Sequence, residues 1–310
     1  MIKVFIDGRE GTTGLRIYER LAERQDISLI VLSEELRKDP AARKEALNAA
    51  DIAFLCLPDA AAMEAVSMIE NDTTRVIDAS TAHRTLPEWC YGLPELSPAH
   101  LEKLKASKRT AVPGCHASGF ISLVYPLVAA GVLPADALLT CHSITGYSGG
   151  GKKMIAQYED EGRDQLLSAP RQYGITQQHK HLKEMKAICG LKNSPIFCPI
   201  VSDFYSGMCV TVPLFKSQLA AGKTIEDVKA VYQSLYQGPM IRYQESMDEA
   251  GFLSGNAMSG LDSMQVTVCG NDERILLISR FDNLGKGASG AALQCMNIML
   301  GDDPTHGLNL

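Results

Sequence analysis

Hydrophobic and polar positions alternate along the first third of the chain in a regular rhythm. Ile2 to Ile6 is a nearly continuous apolar run, the pattern of a strand buried on both faces. The glycine-rich stretch Gly8 to Gly14 breaks it, and Leu15, Tyr18 and Leu21 then recur at helical spacing. Further apolar runs follow at Ile27 to Leu32, Asp51 to Leu57 and Arg75 to Asp78, separated by helical stretches at about Asp39 to Ala49 and Ala60 to Ile69. Strands alternating with helices in this way predict βαβ units and a parallel sheet.

Beyond about residue 116 the rhythm changes. Phe120 to Ala135 reads as a buried helix and its exit. Strand-like segments at Leu138 to Ile144, Pro195 to Val201, Gly207 to Leu214, Gln265 to Cys269 and Ile275 to Phe281 partly follow one another without a helix between them. That predicts a mixed or antiparallel sheet, and Ala288 to Leu300 has the spacing of a closing helix. The expected fold is α/β: a Rossmann-type doubly wound parallel sheet over residues 1–116, completed by 285–310, and a second α+β domain over 117–284 for catalysis and oligomerisation.

Composition narrows the function. The 310 residues carry 30 Lys plus Arg against 36 Asp plus Glu, a net charge of −6, which lacks the basic footprint of a nucleic-acid or membrane-surface binder. No leader-like or spanning segment is visible, so a soluble protein is expected. The nine cysteines are odd in number and form no C-x-x-C pair. Neither a disulfide framework nor a zinc site is supported, no metal is expected, and the cytoplasm is the natural compartment.

Two segments carry chemistry. Gly8-x-x-Gly11-x-x-Gly14, after a first strand and opening a helix, is suited to a nucleotide pyrophosphate, with Thr12 and Thr13 inside the turn. At the end of the second strand, Ser33, Arg37 and Lys38 suit a 2′-phosphate, whereas Glu34 or Glu35 suit a ribose diol; the residues alone leave NADP and NAD open. The second segment is Pro113-Gly114-Cys115, where a thiol at a helix N-terminus is placed to act as a thiolate. The other cysteines lie mostly in apolar runs and read as core residues.

Six segments occur in an order that resembles a known family. They are the glycine turn, Asp78-Ala79-Ser80-Thr81-Ala82-His83-Arg84, Pro113-Gly114-Cys115, Gly146-Tyr147-Ser148-Gly149-Gly150-Gly151-Lys152, His179-x-His181-x-x-Glu184 and Asp282-Asn283-Leu284-Gly285-Lys286-Gly287-Ala288-Ser289-Gly290. Together they look like the N-acetyl-γ-glutamyl-phosphate reductases, in their short bacterial form, relatives of the aspartate-semialdehyde dehydrogenases. The family pattern Asn-Pro-Gly-Cys-Tyr-Pro-Thr is altered here, with Val112 before the proline and His116-Ala117-Ser118 after the cysteine.

The resemblance implies an NADPH-dependent reduction of an acyl phosphate to a semialdehyde in arginine biosynthesis, through a thioester on Cys115. It also implies His179 as acid/base, with His181 as the alternate and Glu184 in support. Asn283 and Lys286 are expected on the nicotinamide side of the cofactor. A substrate carrying carboxylate and phosphate calls for cations and N–H donors, for which Arg84, Ser148, Gly149 and Lys152 are the candidates. His116 is not expected to act on the thiol, because adjacent residues at a helix start point in different directions. A homodimer or homotetramer is expected. Aspartate-semialdehyde dehydrogenase and a non-catalytic dinucleotide sensor are the competing readings.

Overall fold

The computed structural model describes residues 1–310 and divides into two compact units. The first comprises Met1–Pro94, Pro98–Pro113 and Ala288–Leu308. Its strands β1 (Ile2–Asp7), β2 (Ile27–Ile30), β3 (Ile52–Leu55), β4 (Arg75–Asp78), β5 (Cys90–Tyr91) and β6 (Arg109–Ala111) form a six-stranded sheet in the order β2-β1-β3-β4-β6-β5. Every pairing in it is parallel.

Helices α1 (Thr12–Ala22), α2 (Pro40–Ala49), α3 (Asp59–Ser67), α4 (Pro98–Ala106) and α9 (Gly290–Leu300) complete this unit. Successive strand residues face opposite ways, which is why the apolar runs are unbroken. Val4 and Ile6 join Ile17, Leu21 and the α9 residues Leu293, Met296 and Met299 in one core. Phe5 joins Leu47, Ala62 and Ala65 in another. The alternation of strand and helix thus yields the doubly wound sheet it predicted.

The second unit comprises Glu95–Ser97, Gly114–Gly287 and Asn309–Leu310. Strands β7 (Thr140–Gly146), β8 (Arg171–Gln172), β9 (Ile196–Ser202), β10 (Met208–Phe215), β11 (Ile241–Tyr243), β12 (Met264–Gly270) and β13 (Arg274–Phe281) pair in the order β11-β12-β13-β10-β7-β9-β8. The sheet is mixed: β7 and β9 are parallel, β10 is antiparallel to both β7 and β13.

Its helices are α5 (Cys115–Ala129), α6 (Gly151–Glu159), α7 (His181–Ile188) and α8 (Ile225–Leu235). The α5 helix is buried nearly throughout and packs on the sheet at Gly119, where an added Cβ would stand 2.6 Å from Val210 and 2.8 Å from Ser279. On the other face, Ile144, Ile196, Phe215 and Leu276 share one side of the register and remain exposed.

Local boundaries differ from the sequence pattern where polar residues enter elements. The helix after the glycine turn starts at Thr12 rather than Leu15, and α5 starts at Cys115 itself. The closing helix starts at Gly290, after a π-helical turn over Gly285–Ser289. No helix is long and apolar enough to cross a membrane.

Candidate functional site

The glycine turn is a tight structure in which each glycine has a separate steric reason. Gly8 has φ +86°, and a Cβ there would stand 2.3 Å from the Cys56 carbonyl oxygen. Gly11 donates to the Gly8 carbonyl at 3.0 Å and occupies the cap position of α1. A Cβ on Gly14 would lie 2.5 Å from the same Gly8 oxygen. The free N–H groups of the α1 start are therefore presented without side chains in the way. The first helical residue, Thr12, has a buried hydroxyl with no protein partner.

Beyond β2 the Ser33 carbonyl accepts from Leu36 N and Arg37 N, closing a turn rather than opening a helix. Ser33 is exposed, while Arg37 bonds Glu34 at 2.5 Å and keeps a buried Nε without a partner. Gly8, Arg9, Tyr18, Leu32, Arg37 and Lys38 line a cavity of about 290 Å³, and the Arg9 guanidinium lies 4.9 Å over the Tyr18 ring. An unmet hydroxyl at a helix start and an unmet guanidinium N–H beside further cations are what a dinucleotide with an extra phosphate would satisfy. Asp7, just before the turn, is bonded to Arg43 at 2.9 Å, so no free acid borders the glycines there.

The segment after β4 is held internally. The Asp78 carboxylate accepts from Ser80 Oγ and contacts His83 Nδ1, both at 2.6 Å, and His83 stacks on Trp89 at 4.1 Å. Arg84, expected to meet substrate, is buried and donates to the carbonyls of Val112 at 2.9 Å and Ala79 at 3.2 Å. It thereby braces the strand leading into Pro113-Gly114-Cys115.

Cys115 is the first residue of α5, with Gly114 as the cap. Its exposure does not single it out, since Cys56, Cys198 and Cys269 are also half-buried. Its surroundings do. Burial pushes Cys56 up to about 12 and Cys90 up to about 11, and raises Cys141, Cys189, Cys209 and Cys269 as well, so these thiols stay protonated. At the cysteine turn, Gly114 N donates to Glu184 Oε2 at 3.2 Å. Gly287 lies against the thiol's own carbon; a Cβ there would meet Cys115 Cβ at 3.0 Å.

Three imidazoles crowd this place. His179 and His181 have ring centroids 4.7 Å apart, and the His116 ring lies 5.9 Å and 5.6 Å from them. His181 N donates to His179 Nδ1 at 3.2 Å, which leaves Nε2 of that neutral ring carrying the hydrogen. Burial, with Lys180 nearby, pushes His179 down to about 4. His181 Nε2 stands 4.0 Å from Glu184 Oε1, so the carboxylate serves both the cysteine turn and this second ring. His116, set aside from the sequence, is inside the cluster. Its Nδ1 meets Ser143 Oγ and its Nε2 meets Tyr173 Oη, each at 2.6 Å.

The remaining candidates separate into buried and open ones. Asn283 is buried and works as a clamp, its Oδ1 accepting from Gly207 N at 2.9 Å and its Nδ2 donating to Ser148 Oγ at 3.0 Å. Lys286 is fully buried and ion-pairs with Glu95 at 2.7 Å. Gly149 and Lys152 are exposed, the latter as the second residue of α6. Nothing local in the sequence signals Tyr173, Ser143 or Glu95, whose partners lie 57, 27 and 191 residues away.

The chain is similar to known proteins over nearly its whole length. Residues 3–104 match the family model described as semialdehyde dehydrogenase, NAD binding domain, and residues 115–283 match semialdehyde dehydrogenase, dimerisation domain. N-acetyl-gamma-glutamyl-phosphate reductase of Chelativorans sp. (strain BNC1) is 46% identical over 305 residues, covering 96% of this chain and 98% of that protein. The protein of the same name from Sinorhizobium medicae (strain WSM419) is 44% identical over the same shares. Among solved structures, aspartate semialdehyde dehydrogenase II from Vibrio cholerae, complexed with ASA, has a TM-score of 0.71 at 17% identity, covering 97% of this chain and 99% of that one. Aspartate semialdehyde dehydrogenase from Francisella tularensis has a TM-score of 0.70 at 16% identity, covering 97% and 100%. These two likenesses concern the fold.

Proposed function

The chain belongs to the semialdehyde dehydrogenase family, and from that premise we propose that it is an N-acetyl-γ-glutamyl-phosphate reductase using NADP(H). The observation that carries the chemistry is Cys115 at the start of α5, on a turn whose Gly114 N donates to Glu184, the carboxylate that stands 4.0 Å from His181 Nε2. The choice of acyl group is supported by identities of 43–46% over nearly the full length to reductases of that name.

The Cys115 thiolate attacks the acyl carbon, the carbon–oxygen bond to phosphate breaks, and phosphate leaves with the electron pair to give a thioester. When bound, the reduced nicotinamide supplies hydride to the thioester carbon. The carbonyl oxygen then carries negative charge and accepts a hydrogen bond from the Nε2–H of His179. Collapse of the thiohemiacetal re-forms the carbonyl and returns the thiolate. His181, the ring with a carboxylate alongside, takes the thiol proton at the outset, while Glu184 holds the cysteine turn through Gly114 N. This division of labour moves the base from His179 to its alternate, because the free nitrogen of His179 already bears a hydrogen.

The cofactor is held by Gly8, Gly11, Thr12, Thr13 and Gly14 at the pyrophosphate and by Ser33, Arg37 and Lys38 at the 2′-phosphate. Arg37 pairs with Glu34, the acid that would otherwise favour a ribose diol. Asn283 and Lys286 are buried braces of the turn over Gly285–Ser289 in this reading. Lys152, Gly149 and Ser148 receive the anionic ends of the substrate, and Arg84 acts from behind through Val112. The open apolar face carrying Ile144, Ile196, Phe215 and Leu276 supports a homodimer or homotetramer, and nine free cysteines support a cytoplasmic setting.

The test is phosphate-dependent reduction of NADP by N-acetylglutamate semialdehyde. Activity on aspartate semialdehyde alone would overturn the choice of substrate. His181→Asn should slow Cys115 alkylation and turnover together, by roughly 10²-fold or more. His179→Asn should slow turnover and leave alkylation unchanged; the opposite pattern reverses the two roles.

A further inference from the structure

His116 has a position that the mechanism leaves unused. It follows the nucleophile directly in the chain, is 2% exposed, and makes two short contacts of 2.6 Å, to Ser143 Oγ on β7 and to Tyr173 Oη. Phe197 packs edge-on against its ring at 5.3 Å, with His179 and His181 on other sides. Burial and the neighbouring His179 push it down to about 3, so the ring is neutral throughout the working range.

A neutral imidazole has one N–H and one lone pair, so its two hydroxyl partners must be bonded with opposite polarity. If Ser143 donates to Nδ1, Nε2–H donates to Tyr173 Oη, and the hydrogen of the tyrosine hydroxyl is directed away from the ring. In the reverse order that hydrogen points into the ring and is lost as a donor. Burial raises the Tyr173 phenol above its ordinary value, and negative charge at Cys115 adds to the rise. The first polarity is the one that leaves the Tyr173 O–H available as a donor.

Building on the reductase reading above, we propose that His116 is a positioning residue: with Ser143 it orients the Tyr173 hydroxyl so that Tyr173 donates a hydrogen bond to the acyl oxygen held at Cys115. The hydrogen bond strengthens as that oxygen gains negative charge on hydride addition, which is when a fixed donor lowers the barrier. His116 itself touches neither the thiol proton nor the substrate. The residues after the cysteine, where this chain departs from the family pattern, thereby acquire a purpose: the ring at 116 reaches Tyr173, 57 residues further on.

The experiment compares His116→Phe, His116→Gln, Tyr173→Phe and the double variant His116→Phe/Tyr173→Phe. Tyr173→Phe and His116→Phe should each lower kcat by roughly 10²-fold, the scale of one lost oxyanion donor, with KM for the acyl phosphate changed less than about threefold. The double variant should be no slower than the slower single one, and His116→Gln, whose amide reaches Tyr173, should recover at least about tenfold of the loss. Alkylation of Cys115 by iodoacetamide should be unchanged in all four. Multiplicative losses, no recovery with Gln, or alkylation slowed in step with kcat would overturn the proposal. Nitrogen-15 NMR of labelled histidine in the unaltered enzyme gives a readout independent of substrate. His116 should be neutral with the hydrogen on Nε2, and a hydrogen on Nδ1 would overturn the proposed polarity. If the enzyme instead fails to act on N-acetylglutamate semialdehyde while His116 shows this tautomer, the substrate assignment has failed and the orienting chain has not.

Discussion

The glycine turn and the surroundings of Cys115 are built on opposite plans. Around the glycine turn, polar groups are left open: Thr12 Oγ1 and Arg37 Nε are buried with no protein partner, and the helix start offers bare N–H groups. Around Cys115, polar groups are already joined to one another. His116 bonds two hydroxyls, Glu184 serves both Gly114 and His181, and Asn283 ties Ser148 to Gly207. An open site gains its missing bonds from a ligand that comes and goes, whereas a closed network fixes reacting groups before the substrate arrives. Changes at the first should therefore alter binding. Changes at the second should alter rate or stability.

The sharpest break of this contrast is Cys115→Ala. On the proposed chemistry, turnover should fall roughly 10⁴-fold or more, because the variant lacks the nucleophile. Full activity in this variant would remove the nucleophile.

Next in size is Lys286→Met, which leaves Glu95 without its cation in a closed region. Removing one partner of a buried pair costs about 3–5 kcal/mol, measurable by denaturant unfolding. A loss below about 1 kcal/mol would mean that the pair is not part of the closed network.

A third test uses acid. Free imidazoles protonate near pH 6.5, but folded His179 and His116 do so only near about 4 and about 3. The unfolded chain thus binds more protons below pH 6.5, so their contribution is intact above that pH and is lost progressively as pH falls towards 3. His116→Phe should flatten this acid limb in a series of melting temperatures against pH. The glycine-turn region has no matching pair of depressed rings, so Arg37→Ala should leave the limb alone.

The smallest effect is the binding change itself. Arg37→Ala should weaken NADP binding about tenfold to a hundredfold, the value of one charge-assisted contact, while NAD binding and the melting temperature stay the same. Calorimetric titration of the two cofactors reads this directly. Equal losses for both would take Arg37 away from the 2′-phosphate.

The same contrast explains how much could be seen in the sequence. The glycine turn is local: a strand, three glycines and a helix within some twenty residues state the whole arrangement, and β1 and the turn lie where the pattern put them, with α1 begun three residues early at Thr12. The closed network is non-local. Lys286 looked like a cation at an open glycine-rich helix start, because nothing near it in sequence announces Glu95, 191 residues earlier. His116 was set aside on the geometry of adjacent residues, an argument that concerns the thiol alone. It did not reach Tyr173, since a hydroxyl in a polar stretch gives no period to follow. Boundaries slipped by a residue or several at Thr12, Cys115 and the turn at Gly285–Ser289, where regular hydrophobic spacing gives way to backbone geometry.

The α9 helix, which closes one core of the first unit, also sets a timetable. Val4 and Ile6 pack in the same cluster as Leu293, Met296 and Met299. A ribosome adding about 5–20 residues per second needs roughly 15–60 s to make the chain between them. Throughout that interval β1 has α1 alone on that face. The nascent chain is thus obliged to keep β1 from aggregating until α9 emerges, and a stalled or truncated product should be recognised by chaperones through that half-covered face.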